Sequence, residues 1–255
     1  MFKIESTSNG IFKETKKLLT RNGRKKSDSF IIEGERIVCD AVKNGADVKY
    51  ILISGDYSGK TDFFGNINVY SLSGKLFDEL KSTVNSQGIL AVAGYTNKEL
   101  SQLDYSDGVY LYLDSVMDPG NMGTIIRSAN AFNVKGILIS KGCVDVFNPK
   151  VLRSTMSGIF SANLYFDEGN VLLNFREKGF KIIGTFPDGA SPAKDFSYGN
   201  KSVIVMGNEA NGICPEVENL CTHRVTIPMT GNAESLNVSV ACGIMLYEAS
   251  LNSSK

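Results

Sequence analysis

The stretch that decides the fold is VYLYLDSVMDPGNMGTIIR, residues 109–127. Its first part, Val109–Leu113, is apolar without alternation, which is typical of a strand buried on both faces of a parallel sheet. Asp118-Pro119-Gly120 breaks this pattern, and Asn121–Phe132 then carries apolar residues at helical spacing. The stretch therefore predicts a strand, a loop and a helix, which together begin a β-α-β unit.

The alternation of strand and helix continues to the end of the chain. Further strands are predicted at Gly136–Ser140, Lys181–Phe186, Ser202–Met206 and Arg224–Ile227. Helices are predicted at Lys150–Phe160, Val171–Glu177 and Leu236–Leu251. The last helix has more apolar positions than one face can hold, so we expect a second face of this helix to pack against a partner. This order predicts an α/β fold with a mostly parallel sheet that is covered on both sides.

A smaller α/β unit precedes this one. Its strands are predicted at Ser29–Ile32, Val48–Ile53, Val69–Leu72 and Ile89–Tyr95, and its helices at Glu35–Lys43 and Lys75–Val84. Residues 97–107 are polar and poor in apolar side chains, which indicates a linker. We therefore expect an N-terminal domain at residues 1–96 and a second domain at residues 108–255.

The composition excludes several classes of protein. The chain has 255 residues, of which 42% are hydrophobic and 21% are charged, so it is globular rather than disordered. Lys+Arg and Asp+Glu are both 27, so the chain as a whole is not a polycation that coats nucleic acid. The sequence contains no run of 18 apolar residues, so no membrane span is predicted. The first ten residues are polar, so no secretory signal is predicted.

Cysteine and histidine usage narrows the chemistry further. The five cysteines are scattered without a C-x-x-C pair, which argues against a disulfide framework or a zinc ribbon and favours a reducing cytoplasm. His223 is the only histidine, so a Ser-His-Asp triad and a multi-histidine metal site are both excluded. We therefore expect no metal.

Positive charge is concentrated near the N-terminus. Between Gly10 and Ser27 there are seven Lys or Arg residues against one acid, Glu14, a local charge of +6. Such runs are usually solvated helix faces, but in a neutral chain this excess favours a surface that faces phosphates. The predicted RNA-binding residues are Lys16, Lys17, Lys25 and Lys26.

Three loops rich in Gly, Asn and Pro each follow a predicted strand of the second unit. They are Asp118–Arg127, Gly207–Gly212 and Ile227–Ser239. In open parallel sheets, ligands bind at the carboxyl ends of the strands, which is where these loops begin. Neither G-x-x-x-x-G-K-[ST] nor G-x-G-x-x-G occurs, which excludes a P-loop NTPase and argues against a standard dinucleotide fold.

The three loops resemble the three signature motifs of the SpoU/TrmH branch of the SPOUT RNA methyltransferases. The first is Asn121-x-Gly123-x-x-x-Arg127, preceded by Asp118-Pro119, and the second is Gly207-Asn208-Glu209-x-x-Gly212. The third is Ile227-Pro228-Met229 followed by Ser235-Leu236-Asn237-Val238-Ser239. Their order and spacing agree over residues 107–252. More loosely, Phe30-Ile31-Ile32-Glu33-Gly34 is similar to the opening of the family's N-terminal RNA-binding domain.

The resemblance implies an RNA 2′-O-ribose methyltransferase that uses S-adenosylmethionine, with a C-terminal trefoil knot and an active site built at a homodimer interface. It implies catalytic roles for Arg127, Asn121, Glu209, Ser235 and Asn237. It implies cofactor contacts for Gly207, Ile227 and Leu236, mainly through backbone and apolar groups.

Each implied role has a structural alternative. Arg127, which the resemblance makes the activator of the ribose 2′-hydroxyl, could be an exposed arginine in an ion pair. Because a guanidinium keeps its proton in proteins, we expect Arg127 to act by its charge and to bind phosphate. Asn121 could cap a helix, and Glu209 could be a solvated acid rather than one that orients Arg127 or the nucleotide. Ser235 and Asn237 could simply start the terminal helix, whereas the resemblance places both in the active site, with Asn237 bracing the loops.

The full N-terminal domain favours ribosomal RNA as the substrate. A tRNA 2′-O-methyltransferase and a catalytically inactive RNA-binding scaffold are the alternatives. The retention of all five implied catalytic residues argues against the scaffold. A base methyltransferase acting on N1 of guanine ranks last, because the third motif is of the ribose-methylating type.

Overall fold

The computed structural model describes residues 1–95, 98–188 and 191–252. The chain forms two compact units, Met1–Thr96 with Phe147–Phe160, and Asn97–Val146 with Ser161–Lys255. Residues Phe147–Phe160 therefore group with the first unit, although they follow the predicted linker in sequence. Residues 96 and 97, at the predicted domain boundary, lie outside the described residues.

The first unit is built on a mixed five-stranded sheet. Its strands are β1 (Phe2–Ile4), β2 (Ser29–Glu33), β3 (Val48–Ser54), β4 (Val69–Leu72) and β5 (Ile89–Gly94), in the order β1-β4-β3-β5-β2. β5 runs antiparallel to both neighbours, with Ile31 opposite Val92 and Ile51 opposite Ala91. The four predicted strands are confirmed to within a residue at each end, and β1 was not predicted.

The basic segment forms two helices, α1 (Gly10–Lys17) and α2 (Arg21–Ser27). They are separated at Thr20, whose hydroxyl accepts a hydrogen bond from the Gly23 amide and so begins α2. Phe12 and Leu18 are buried, whereas Leu19 is exposed. The remaining helices of this part of the chain are α3 (Glu35–Lys43) and α4 (Gly74–Asp78).

The predicted helix Lys75–Val84 is wrong in its second half. The chain leaves the helix after Asp78, and the Glu33 carboxylate then accepts hydrogen bonds from the amide and hydroxyl of Ser82 and from the hydroxyl of Thr83. These bonds hold the segment in a non-helical path. Val84, expected on the apolar face, is 91% exposed.

The second unit contains a seven-stranded sheet in which every pair of neighbours is parallel. Its strands are β6 (Gly108–Leu113), β7 (Gly136–Ile139), β8 (Leu164–Phe166), β9 (Lys181–Thr185), β10 (Ser191–Pro192), β11 (Lys201–Met206) and β12 (His223–Thr226). The order is β10-β12-β9-β11-β6-β7-β8. The predicted parallel sheet is confirmed, and Leu111 at its centre is fully buried.

Later helices are α5 (Pro119–Ala131), α6 (Pro149–Thr155), α7 (Val171–Glu177), α8 (Pro215–Glu218) and α9 (Val238–Asn252). The helix predicted at Lys150–Phe160 is confirmed in its first half, as α6. Its second half is wrong, because Met156 has a φ of 54° and the chain continues as a 3₁₀ turn to Phe160. α9 begins at Val238, two residues later than predicted, because Asn237 caps it.

The predicted linker is not an extended connection in its described part. A 3₁₀ turn covers Leu100–Gln102, and Leu103 is buried in the same cluster as Phe175 of α7. Among the described residues, none of the helices combines the length and the apolar character that a bilayer crossing requires.

Candidate active site

The three Gly- and Asn-rich loops meet at one edge of the second unit's sheet. β12, β9, β11 and β6 are consecutive and parallel, so their carboxyl ends point the same way. The first loop follows β6, the second follows β11 and the third follows β12. The sheet also changes its direction of growth between β11 and β6, and ligands bind at such switch points in α/β folds.

A cleft of about 480 Å³ opens at this edge. Its walls include the three predicted cofactor residues Gly207, Ile227 and Leu236, together with Glu209 and Ser235. Apolar groups and loop backbone make up much of the lining, and its size lies within the range of small-molecule sites. Lys, Arg and His are absent from the described residues that line the cleft.

The second loop closes on itself next to the cleft. The backbone groups of Asn208 and Gly212 exchange two hydrogen bonds of 2.8 and 2.9 Å. A Cβ at Gly207 would lie 2.2 Å from the carbonyl carbon of Gly212, so only glycine allows this closure. Gly212 has a φ of 70°, whereas Ala210 does not fall in the left-handed region and fits without strain.

Asp118 begins α5, and not Asn121. The Asp118 carboxylate accepts a hydrogen bond of 2.8 Å from the Asn121 amide, and Pro119 occupies the first helical position. The interpretation of Asn121 as the helix cap is therefore wrong. Its side chain is instead free to reach the two other loops.

A chain of side-chain hydrogen bonds joins the three loops. Asn237 Nδ2 donates to Asn121 Oδ1 at 2.9 Å, and Asn121 Nδ2 donates to Glu209 Oε1 at 3.1 Å. Asn237 Oδ1 also accepts from the amide of Ser239, which fixes its orientation at the start of α9. The expectation that Asn237 braces the loops agrees with this contact, although its part in the reaction stays a prediction.

Glu209 is directed at the start of α5. Its carboxylate accepts hydrogen bonds from the amides of Met117 and Asp118, at 3.2 and 3.0 Å, in addition to Asn121. Partial burial opposes ionisation, but these hydrogen bonds outweigh it and lower the pKa of Glu209 below its ordinary value. Glu209 is therefore a firmly ionised group that fixes the first loop.

Arg127 stands apart from this network. It is exposed on the third turn of α5, does not line the cleft, and forms no hydrogen bond or ion pair with any residue that the structure describes. The buried face of α5, which carries Ile125 and Ile126, points away from it. The predicted contact between Glu209 and Arg127 is thus not present within one chain.

The four predicted RNA-binding lysines differ in their surroundings. Lys16 forms an ion pair with Glu79, whereas Lys17, Lys25 and Lys26 are exposed. Arg24, which contributes to the charge of the segment, is 5% exposed and donates to the Leu18 carbonyl at 2.7 Å. The positive charge available to a partner is therefore smaller than the sequence indicates.

His223 does not line the cleft. Its Nδ1 is 2.8 Å from the Thr222 hydroxyl, and its ring contacts that of Phe196. Burial, with a smaller effect of Lys181, lowers the pKa of His223. In the described ranges, no three His, Cys, Asp or Glu side chains gather in a way that could hold a metal ion.

Sequence reasoning missed two polar residues beside the cleft, Asp114 and Asn208. Asp114 directly follows the apolar strand β6 and is 3% exposed, and Asn208 directly follows Gly207 in the second motif. A carboxylate at the end of a buried strand is the signal that could have singled out Asp114, because buried acids need hydrogen-bond partners.

Comparison with known proteins identifies the family. Residues 108–247, more than half of the chain, match the SpoU rRNA Methylase family. The chain belongs to that family. Residues 9–91 match the MRM3-like substrate binding domain.

Individual relatives resemble nearly the whole chain. The 23S rRNA (guanosine(2553)-2′-O)-methyltransferase RlmP of Bacillus subtilis is 33% identical over 254 residues, which cover 97% of this chain and 98% of RlmP. An AdoMet-bound rRNA methyltransferase from Sinorhizobium meliloti has a TM-score of 0.86 at 27% identity and covers 97% of this chain and 96% of its own. AviRb from Streptomyces viridochromogenes, in complex with AdoMet, has a TM-score of 0.84 at 27% identity, with 95% and 97% covered.

Proposed function

We propose that this chain methylates the ribose 2′-hydroxyl of a ribosomal RNA nucleotide with S-adenosylmethionine as the donor. The observation that carries the proposal is the convergence of the three motif loops on one cleft, joined through Asn121, Glu209 and Asn237. The similarity to RlmP, which is named as a 23S rRNA 2′-O-methyltransferase, supports it. The similarity to AviRb, whose structure was solved with AdoMet bound, supports the donor.

The cleft fits the cofactor in shape and charge. Gly207, Ile227 and Leu236 offer backbone and apolar contacts suited to an adenosine. Glu209 and Glu234 bring negative charge to the lining, which complements the positive sulfonium. When bound, S-adenosylmethionine supplies an electrophilic methyl group.

The chain's own residues orient the site and supply its positive charge. Glu209 and Asn237 hold Asn121 on α5, and α5 in turn carries Arg127. The Arg127 guanidinium keeps its proton, so it promotes ionisation of the 2′-hydroxyl by its positive charge and binds the neighbouring phosphate. The hydroxyl proton passes to water or to phosphate. Ser235, on the cleft wall, contacts the nucleotide.

A homodimer is part of the proposal. Arg127 has no partner among the described residues of its own chain, and a second chain would bring it to a cleft. α9 supports this, because Val240, Tyr247 and Leu251 are each about half exposed although the helix already packs on α5. Apolar side chains exposed together on one helix favour a protein partner. The trefoil knot and a cytoplasmic location complete the proposal.

The exposed lysines of α1 and α2 serve as the RNA contact of the first unit. Lys17, Lys25 and Lys26 carry the contact, and Lys16 contributes less because Glu79 neutralises it. This assignment is supported by the match of residues 9–91 to a substrate binding domain.

The deciding experiment maps 2′-O-methylation across total RNA from cells with and without the gene. The expected result is one ribosomal RNA position that loses its methyl group and regains it with the purified protein and S-adenosylmethionine. Loss of a methyl group at a tRNA position would instead identify tRNA as the substrate. If no RNA position changed and calorimetry showed no cofactor binding, the result would support the alternative of an inactive RNA-binding scaffold.

A further inference from the structure

A buried carboxylate that the mechanism above does not use lies between β6 and the first loop and binds the backbone just after the second loop. Asp114 directly follows β6 and is 3% exposed. Its Oδ2 accepts a hydrogen bond of 2.7 Å from the backbone amide of Cys214, two residues after the second loop. Its Oδ1 accepts a bond of 3.2 Å from the Ser115 hydroxyl.

A second connection holds the near end of the same loop. Asn208 Nδ2 donates to the Ser115 carbonyl at 2.8 Å, and Asn208 Oδ1 accepts from the amides of Ala210 and Asn211 at 3.0 Å each. Ser115 has a φ of 58°, a conformation that non-glycine residues rarely adopt. Its amide donates to Ser140 Oγ at 3.0 Å, which fixes this turn.

We propose that Asp114 and Asn208 are positioning residues for the cofactor. They hold the two ends of the second loop, so that the wall formed by Gly207, Glu209 and Ile213 already exists before the cofactor arrives. The inference rests on the proposed use of S-adenosylmethionine in this cleft.

The physical reason is preorganisation. A loop that must be ordered during binding reduces the affinity by the free energy of that ordering. The Cys214 amide is tied to an acid in a buried position, where a hydrogen bond to a charged group is stronger than in water. Without that acceptor, the amide loses its partner and the loop end is released.

Asp167 provides a matched control in the same unit. It is 4% exposed, directly follows β8, and accepts hydrogen bonds from the amides of Gly169, Asn170 and Val171. Like Asp114, it is a buried aspartate that binds backbone amides after a parallel strand. Neither Asp167 nor the residues whose amides it binds line the cleft, whereas Cys214 directly follows Ile213 of the cleft wall. The loss of Asp167 therefore affects stability without affecting the cofactor wall.

The experiment compares Asp114→Ala, Asp114→Asn, Asn208→Ala and Asp167→Ala in the full chain. Calorimetry gives the S-adenosylmethionine affinity, kinetics separate KM from kcat, thermal melting gives stability, and hydrogen exchange without cofactor reports the Cys214 amide.

We expect Asp114→Ala to weaken the cofactor affinity by about tenfold, the change expected from losing one hydrogen bond to a charged group. KM for the cofactor rises with it, while kcat at saturating cofactor changes little. Asp114→Asn keeps an oxygen for the Cys214 amide and restores most of the affinity. Asp167→Ala lowers the melting temperature but leaves the affinity unchanged.

Exchange of the Cys214 amide is expected to speed up in Asp114→Ala and not in Asp167→Ala. Equal effects of these two variants on affinity and exchange would overturn the inference. Should Asp114→Ala not fold, unchanged affinity in Asn208→Ala would overturn it as well. If the wild-type protein bound no S-adenosylmethionine while Asp114→Ala still exchanged the Cys214 amide faster than the wild type, the proposed function would be refuted and the loop anchoring would stand.

Discussion

Replacing Glu209 by glutamine tests how the three loops are held together. In the native chain, both carboxylate oxygens face donors, the amides of Met117 and Asp118 and the side chain of Asn121. Whichever way a glutamine amide turns, its NH₂ group meets one of these N–H groups. The variant therefore loses at least one hydrogen bond and the charge that strengthens the others.

The size of the effect follows from these contacts. A hydrogen bond to a charged group contributes about 1.5–3 kcal/mol, and the exposure of Glu209 reduces this to about 1–2 kcal/mol. If this free energy holds Asn121 and the start of α5 in the reactive arrangement, its loss lowers the rate by roughly 5- to 30-fold.

The assay is transfer of a labelled methyl group to RNA at saturating cofactor, with thermal melting beside it. Glu168→Gln is the matched control, because Glu168 is exposed, does not line the cleft and forms no hydrogen bond with a described residue. We expect the control to keep its rate. A Glu209→Gln protein as active as the control would refute the bracing role.

The pH dependence of the Glu209 interaction has a defined sign. Its folded pKa lies below the ordinary 4.5, so its stabilising contribution is fully present above that value and is lost as the pH falls through the folded pKa. The ratio of wild-type to Glu209→Gln activity should thus stay constant between about pH 5.5 and 8. A ratio that changes across this range would show that Glu209 titrates during the reaction.

Three further predictions test the remaining assignments. Arg127→Ala is expected to abolish methyl transfer while the cofactor affinity stays within about threefold by calorimetry, because Arg127 does not line the cleft; a parallel loss of affinity would contradict this. Charge reversal of Lys25 and Lys26 should reduce the slope of log K against log salt in RNA titrations by about 0.7 to 0.9 per phosphate contact that is lost. An unchanged slope would mean that these lysines form a solvated helix face and do not bind RNA. Tyr247→Glu, on the exposed face of α9, should halve the mass seen by light scattering; a wild-type chain that is monomeric and fully active at nanomolar concentration would exclude the dimer.

The local pattern of the sequence was sufficient for five of the seven strands of the second unit's sheet and for the position of the loops, but the short strands β8 and β10 were not predicted. Val109–Leu113 and Ser202–Met206 are apolar because strands at the centre of a parallel sheet are buried on both faces, and burial leaves its mark on every residue of the strand. Gly207 was also identified from the sequence, as the first residue of the second motif. The structure gives the reason for a glycine there, because the loop closes too tightly for any Cβ.

Which polar side chains meet was decided only by the tertiary structure. Asn121 contacts Glu209 across 88 positions and Asn237 across 116, and Asp114 contacts the Cys214 amide across 100. Glu209 and Cys214 reach their partners because β11 lies next to β6, an order that depends on the packing of the whole sheet. Asn237 reaches Asn121 because α9 packs on α5. Two predicted helices also end early. Hydrogen bonds from Ser82 to the Glu33 side chain end the first before Val84, and the positive φ of Met156 ends the second. Periodicity records whether a residue is buried, whereas hydrogen-bond partners depend on which strands become neighbours.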